Sequence, residues 1–484
     1  MSIRRYSVYN LTGSLAPIAV TMLTVPAYIK LIGVERYGVL VIVWALLGYF
    51  GAFDLGLGRA TAQRIATMRH AEPSERAEAF WTALILNMTF GVVGGLLLWT
   101  IGQYYFEGHF QVPENLRMEI LAAVPWLAAT VPITTLSGVL GGALQGRERF
   151  LVLNISNVLG SVLFQVLPLG VAWLHGSDLV WLVPAALLGR VTTCVVLFSQ
   201  CYLHVPLNME PSVKRNLIVP LFRYGGWVTV TSMISPFLTT LDRFIIGSIA
   251  GAKAVTYYSV PFNLASRVAA LPSSLSDSLF PRFSSTPVKE CNQLMDKAVG
   301  ALSVILTPLI IAGMLIMEPF LRWWVGIEFA KHAAFVGEII ALGLWFNSLA
   351  YIPFARLQAQ GRPDLVAKCH LAELIPYIAF LTFGLQVWGV LGAALAWSLR
   401  VTIDAILLFW ICGVEPRRIM NHLPPLLLLG MVFAALVSFP IDSLHRWIIG
   451  SSTLLGSLAW AWITAPDSVK GLFEAGYQLL SRSR

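Results

Sequence analysis

The sequence predicts an all-α integral membrane protein with about fourteen transmembrane helices. Of its 484 residues, 57% are hydrophobic and only 12% are charged, with a mean hydropathy of +0.73, whereas a soluble domain carries roughly 25% charged residues. Apolar blocks near the roughly 20 residues that a spanning helix needs recur along the whole chain. No part of the sequence has the composition of a soluble domain, so we expect most of the protein surface to contact lipid.

The predicted helices are apolar blocks separated by charged residues or by Gly and Pro. The first block follows Arg4 and Arg5 and is too long for a signal peptide, so we expect it to be retained as a helix. The predicted spans are Leu11–Ile32, Val39–Leu57, Ala79–Ile101, Ile120–Ala143, Phe150–Leu174, Leu179–Leu203, Tyr224–Ala250, Ala254–Phe280, Ala298–Trp324, Ala333–Leu357, Leu365–Val387, Val390–Val414, Leu423–Phe439 and Leu444–Ile463.

The distribution of Lys and Arg predicts the orientation, because basic residues near helix ends are retained in the cytosol. Of the 33 basic residues, 22 fall on the side that holds both termini and seven on the other side. We therefore expect a multi-pass protein of the inner membrane with cytosolic N and C termini. The net charge of +8 is explained by the membrane surface rather than by nucleic acid.

The two halves of the chain resemble each other, which predicts an internal repeat. Three pairs match in chain order, namely Arg147 with Arg362, Arg190 with Arg400, and Gly108 with Gly326, at separations of 215, 210 and 218 residues. Both copies begin on the cytosolic side, so the repeats are parallel and related by an axis along the membrane normal. We predict a six-helix N-terminal lobe (1–206), a six-helix C-terminal lobe (207–414), and two extra helices with a cytosolic tail (415–484).

The opening of the chain resembles a known family. Its segment Val25–Ala66 contains Pro26, a "GVERYG" turn and the motif "DLGLGRA". In these features it is similar to the polysaccharide transporter family of Wzx-type O-antigen flippases, within the multidrug/oligosaccharidyl-lipid/polysaccharide exporter superfamily. The motif covers about a tenth of the chain, whereas the architecture resembles the family throughout.

The resemblance implies a V-shaped pair of bundles that opens alternately to either face. It also implies a flippase that moves undecaprenyl-pyrophosphate-linked oligosaccharide to the periplasmic leaflet for O-antigen, capsule or exopolysaccharide synthesis. The expected partners are this lipid-linked oligosaccharide, the bilayer and other polysaccharide assembly proteins. No enzymatic step is expected, and the only cofactor considered is a coupling H⁺ or Na⁺.

Arginines inside the predicted helices are candidates for contact with the anionic head group, because an ionisable group at membrane depth generally faces protein or water. A guanidinium has forked donors that match phosphate oxygens in pairs. Arg267 and Arg243 are the predicted cavity contacts within the helices. Arg59 and Arg282, at cytosolic helix ends, are predicted either to receive the pyrophosphate or to anchor helices to anionic lipid.

Acidic residues are candidates for ion coupling or for neutralising the arginines. Asp54, Asp277 and Glu373 are predicted to bind a coupling H⁺ or Na⁺. Arg400 and Asp404 are spaced i, i+4, which puts them on one helix face and predicts a structural ion pair. Arg190 is given the same structural role because its repeat position matches that of Arg400.

Two rival functions remain open. A multidrug or cation antiporter would use the same fold with an acidic, aromatic cavity. A membrane polymerase or ligase would need catalytic groups in a periplasmic loop, and the longest stretch predicted there, Gly102–Glu119, is short. No nucleotide motif or serine triad is present, and the five cysteines lack metal-ligand spacing, so no metal site is predicted.

Overall fold

The computed structural model consists of helices joined by short connections in the residues it describes, which are 3–50, 54, 56–68, 72–205, 240–413 and 423–465. The helices are α1 (Ile3–Phe50), α2 (Leu57–Thr67), α3 (Pro73–Gly108), α4 (Glu114–Gly146), α5 (Phe150–His175), α6 (Leu179–His204), α7 (240–249), α8 (Gly251–Ala265), a 3₁₀ turn (Ser266–Ala269), α9 (Ala270–Ser285), α10 (Val288–Trp324), α11 (Ile327–Ala359), α12 (Pro363–Trp388), α13 (Val390–Ile411), α14 (Leu423–Ser438) and α15 (Leu444–Thr464).

The all-α, multi-pass prediction is confirmed. Within the described ranges, nine helical spans are long and apolar enough to cross a membrane. Each predicted span has a helical counterpart there except the seventh, most of which (224–239) lies outside the described residues. The predicted cytosolic tail from 466 onward also lies outside them. Large apolar side chains such as Trp173 and Ile375 are 75% and 77% exposed, which suits contact with lipid.

The first two predicted helices form one continuous element with a break. α1 loses helical geometry at Gly33, where φ is 81°, a conformation that glycine adopts without steric cost. α1 ends at Phe50, so the predicted second helix, Val39–Leu57, extends too far. A separate helix, α2, begins at Leu57, and the carboxylate of Asp54 accepts the Gly58 N–H at 3.1 and 3.2 Å. Asp54 thereby satisfies a free amide of the first turn.

The chain divides into two compact units, Met1–Thr256 and Tyr257–Arg484. In the first unit α4 packs against α2, α3 and α6, while α5 packs against α1 and α6. The start of α8 belongs to this unit, since the Thr256 hydroxyl donates a hydrogen bond to the Val34 carbonyl at 2.7 Å. The boundary therefore lies inside α8, and the predicted lobe boundary at 206/207 stays a prediction.

In the second unit α11 is the central helix and packs against α9, α10 and α13. Its fully buried Trp345 donates its indole N–H to the Thr307 hydroxyl of α10 at 3.1 Å. This bond satisfies the polar tip of a large aromatic side chain that otherwise fills the core.

The two C-terminal helices are held to the second unit by a buried ion network. Arg446 at the start of α15 lies 2.9 Å from Glu318 of α10 and 3.1 Å from Glu338 of α11. Glu318 also contacts Arg322 at 2.7 Å. Arg446 and Glu338 are both buried, so removing either leaves an uncompensated charge. The pair of helices predicted to lack a repeat counterpart is therefore tied to the core of this unit.

The close packing of α2 on α4 depends on small residues. A Cβ placed on Gly142 would collide with the carbonyl oxygen of Gly58, whereas one placed on the neighbouring Gly141 would meet only Leu153 Cδ1 at 3.3 Å. Gly142 lets the two backbones approach, as small residues do between membrane helices.

We expect Gly142→Ala to lower the thermal stability of the purified protein, because the new methyl group must push α2 away from α4, at a cost of about 1–3 kcal/mol. Gly141→Ala is the matched control and should be neutral or slightly stabilising, since alanine is the better helix former. Unfolding in detergent measures both variants. Equal melting temperatures for the two would contradict the packing described here.

Candidate functional site

Arg190 lies near the middle of the 26-residue α6. The exposed apolar face of this helix carries Trp181, Leu188 and Val195, which are 57%, 61% and 58% exposed. Arg190 follows Leu188 by two residues and is therefore turned about 200° away from that face. Its guanidinium carbon lies 4.3 Å from the ring centroid of Phe164 on α5. The side chain thus points into the first unit and away from lipid.

The Phe164 ring beside Arg190 belongs to a larger aromatic group in the first unit. Phe164 packs against Trp44 of α1, with ring centroids 5.9 Å apart, and Trp44 packs against Tyr28 at 5.8 Å. The next residue on α5, Gln165, accepts a hydrogen bond from the Thr24 hydroxyl at 2.8 Å. α1 and α5 therefore bring hydroxyl, amide and aromatic groups together, and the Phe164 ring of this group contacts Arg190 of α6.

A denser group of ionisable side chains lies between α12 and α13, and we call it the α12–α13 charge cluster. Arg400 Nε lies 3.4 Å from Glu373 Oε2, and His370 Nε2 lies 3.5 Å from Asp404 Oδ1. The Arg400 guanidinium carbon lies 5.6 Å from the Tyr377 ring centroid. Glu373, Tyr377 and Asp404 are buried.

The prediction of an Arg400–Asp404 ion pair is corrected by these contacts. Among the described residues, the partner of Arg400 is Glu373, while Asp404 contacts His370. The i, i+4 spacing does put positions 400 and 404 on one face of α13, but that face meets α12, which supplies partners to both. The i, i+3 spacing of His370 and Glu373 on α12 was the sequence signal for this arrangement.

The cluster retains unused capacity to accept a proton or cation. Glu373 Oε1 is buried and has no hydrogen-bond donor in the described part of the chain, whereas Asp404 Oδ1 has His370 Nε2 at 3.5 Å. Of the three predicted coupling residues, Glu373 is therefore the one whose surroundings favour uptake of positive charge.

Asp54 has a structural environment. Besides the Gly58 N–H, its carboxylate accepts a hydrogen bond from the Asn87 amide at 2.6 Å, and the same amide reaches the Thr135 carbonyl at 2.9 Å. Asp54 thus links the start of α2 to α3 and α4. The partner Asn87 could not be found from the sequence, because it has no fixed spacing from Asp54.

The arginines predicted at cytosolic helix ends are exposed. Arg59 lies on the exposed face of α2, and Arg282 lies on that of α9. Asp277, which shares the D-x4-R spacing with Asp54, is exposed too. The two motifs therefore have different surroundings, and the roles predicted for Arg59, Arg282 and Asp277 stay predictions.

Arg267 lies in the 3₁₀ turn between α8 and α9. This turn falls near the middle of the helical path from Gly251 to Ser285. A 3₁₀ stretch within a longer helix often marks a hinge or strain. The Arg267 side chain is exposed, and an arginine facing hydrocarbon at this depth costs about 2.5–3.5 kcal/mol or more. This face of the second unit is therefore suited to water or an anion rather than to lipid.

Arg243, the other predicted cavity arginine, is buried in the first unit. Its guanidinium lies 3.2 Å from the carboxylate of the adjacent Asp242, which is fully buried. Neighbouring side chains on a helix do not normally face each other, yet here they pair. This partner makes Arg243 a weaker candidate for substrate contact than Arg267, although its predicted role stays untested.

No group of three His, Cys, Asp or Glu residues close enough to hold a metal ion occurs within the described ranges. Their cysteines are all free thiols.

Comparisons with known proteins agree with this architecture. Residues 4–286 match the model of the family described as "Polysaccharide biosynthesis protein". The chain is also 31% identical over 418 residues to a Shigella flexneri protein named "Putative O-antigen transporter", covering 85% of this chain and 98% of that one. The protein therefore belongs to the polysaccharide biosynthesis protein family of multi-pass membrane proteins.

Solved structures have the same fold. The "Lipid II flippase MurJ, inward closed conformation" aligns over 93% of this chain and 97% of its own, with a TM-score of 0.69 and 14% identity. An inward-facing multidrug resistance MATE family transporter aligns over 85% of this chain and 98% of its own, with a TM-score of 0.67 and 16% identity. At these identities the likeness establishes the fold alone. The predicted fold is confirmed.

The Arg400–Glu373 pair can be measured by a double-mutant cycle. Arg400→Gln should lower stability by about 3–5 kcal/mol, because Glu373 is then buried without its cation. Adding Glu373→Gln should restore part of the loss, giving a favourable coupling energy. Arg362→Gln is the control, since Arg362 and its partner Asp364 are 57% and 49% exposed and such pairs contribute about 0–1 kcal/mol. Additive losses in the cycle would argue against the pair.

Proposed function

We propose that this protein is a flippase that moves undecaprenyl-pyrophosphate-linked oligosaccharide from the cytosolic to the periplasmic leaflet by alternating access. The match to the Shigella flexneri protein carries the proposal, because it spans 98% of that relative's length. The likeness in fold to a lipid II flippase supports it, since that name describes transfer of a lipid-linked substrate. No catalytic step is required for such transfer.

Arg267 supports the proposal on physical grounds. A lipid-linked pyrophosphate must carry its negative charge through the bilayer interior, and an arginine at mid-depth provides a permanent positive charge with forked donors. The 3₁₀ turn that holds Arg267 offers a place where the helical path can bend during alternating access.

We place the proposed H⁺ or Na⁺ coupling at Glu373. Its buried Oε1 has no donor among the described residues, whereas the Asp54 carboxylate already accepts hydrogen bonds from Gly58 and Asn87. Uptake of a cation at Glu373 would weaken its attraction for Arg400, which links ion binding to the packing of α12 on α13.

We also propose that the protein resides in the inner membrane with both termini in the cytosol. The excess of basic residues on one predicted side supports this orientation.

Deletion of the protein should trap undecaprenyl-linked repeat units on the cytosolic leaflet and remove surface polysaccharide. Arg267→Ala should reproduce this defect while the variant still reaches the membrane, because the mid-depth positive charge is lost. Arg362→Ala, which removes an exposed arginine near a helix end, is the control and should retain at least half of wild-type polymer. Normal polymer from Arg267→Ala would remove that residue from the mechanism.

A multidrug or cation antiporter is the alternative, supported by the likeness in fold to MATE transporters. Transport by purified protein in liposomes separates the two functions. We expect protein-dependent flipping of a lipid-linked oligosaccharide and no saturable uptake of organic cations. Cation uptake coupled to H⁺ or Na⁺, without flipping, would replace the flippase proposal with the antiporter.

A further inference from the structure

The repeat-equivalent arginines Arg190 and Arg400 have opposite electrostatic surroundings. Arg400 has Glu373 at 3.4 Å in the α12–α13 charge cluster. Arg190 has no carboxylate within salt-bridge distance in the described part of the chain, and its buried Nε has no hydrogen-bond acceptor there. One repeat therefore neutralises its mid-helix arginine, while the other leaves the charge uncompensated.

The contacts of Arg190 leave its hydrogen-bonding capacity unused. Phe164 offers the guanidinium a ring face at 4.3 Å, which favours a cation but supplies no oxygen acceptor. The buried Nε has no acceptor among the described residues. Part of the side chain is still exposed, so a ligand can reach the remaining donors.

A guanidinium in this position requires an anion. It stays protonated even in poorly hydrated surroundings, and its planar fork fits two oxygens of one phosphoryl group. The helix face that carries Arg190 points away from Trp181 and Leu188, the exposed apolar residues of α6, so lipid tails do not cover it. Gln165, the residue after Phe164 on α5, accepts a hydrogen bond from the Thr24 hydroxyl at 2.8 Å.

We propose that Arg190 is the phosphoryl-binding residue of the first unit, and that its counterpart Arg400 is closed to the ligand by Glu373. The ligand class is a pyrophosphate or phosphate ester on a polyprenyl lipid. This inference rests on the proposed flippase function and assigns substrate contact to a residue for which the sequence pattern predicts a structural role.

Equilibrium binding to the purified full-length protein in detergent tests the assignment, with undecaprenyl pyrophosphate, phosphatidylglycerol and inorganic pyrophosphate as separate probes. Arg190→Gln should weaken binding of undecaprenyl pyrophosphate about tenfold or more, because the paired donors are lost. Arg190→Lys, which keeps the charge but not the fork, should weaken it about threefold. The control Arg362→Gln, which removes an arginine that is 57% exposed and paired with Asp364, should bind within about twofold of wild type.

The outcomes separate this inference from the proposed function. If wild type binds undecaprenyl pyrophosphate and both Arg190 variants bind it equally well, the inference is wrong while the flippase proposal stands. If wild type binds phosphatidylglycerol or inorganic pyrophosphate as tightly as undecaprenyl pyrophosphate, the site is a general anion site and the substrate assignment fails. If wild type binds no polyprenyl lipid, the proposed function itself fails. Should Arg190→Gln not reach the membrane, Arg190→Lys decides the result.

Discussion

The cost of a charge inside the bilayer governs this structure. A guanidinium or carboxylate at membrane depth must meet an opposite charge, a hydrogen-bonding partner or water, because hydrocarbon offers none of these. Three arginines of the described helices differ in which of these they have. Arg446 is buried between Glu318 and Glu338, Arg190 has only an aromatic ring at close range, and Arg267 is exposed on a 3₁₀ turn. The ion pairs of Arg446 hold helices together, and we propose substrate contacts for Arg190 and Arg267.

This division explains why residue type alone does not identify a site. Arg400 and Arg190 occupy matching repeat positions, and the sequence gives no reason to separate them. The difference lies in α12, whose Glu373 reaches Arg400, whereas α5 presents Phe164 to Arg190. Under our proposals the two copies of the repeat differ in function: the charge cluster of one takes up a cation, and the arginine of the other binds an anion.

The sequence predicted the membrane fold well because its signal is local. Apolar blocks of about 20 residues mark helices regardless of tertiary contacts, and the helical counterparts of these blocks begin and end close to their expected positions. The end of the second predicted helix was wrong, because Asp54 and Gly58 start a new helix by a hydrogen bond that hydrophobicity does not register. The site was less predictable because the partners that decide a residue's role lie on other helices. Asp54 is bonded to Asn87, 33 residues away in sequence, and Arg400 is bonded to Glu373, 27 residues away.

The α12–α13 charge cluster and Arg190 also bear on how ion binding could be coupled to substrate binding within the membrane helices. Binding a cation at Glu373 would release Arg400 from its partner and change the contact between α12 and α13, whereas binding an anion at Arg190 would neutralise the one mid-helix arginine of the described first unit that lacks a carboxylate. Anion binding at Arg190 would reduce the uncompensated charge at membrane depth, so that bound state would be cheaper to rearrange within lipid than the empty one. Cation binding at Glu373 would instead leave Arg400 without its partner. Neither event needs nucleotide hydrolysis, in keeping with a sequence that contains no Gly-rich phosphate loop. In the proposed flippase, a few charged side chains at membrane depth would bind the ion and the substrate, and the partners of each side chain, rather than its residue type, would decide its role.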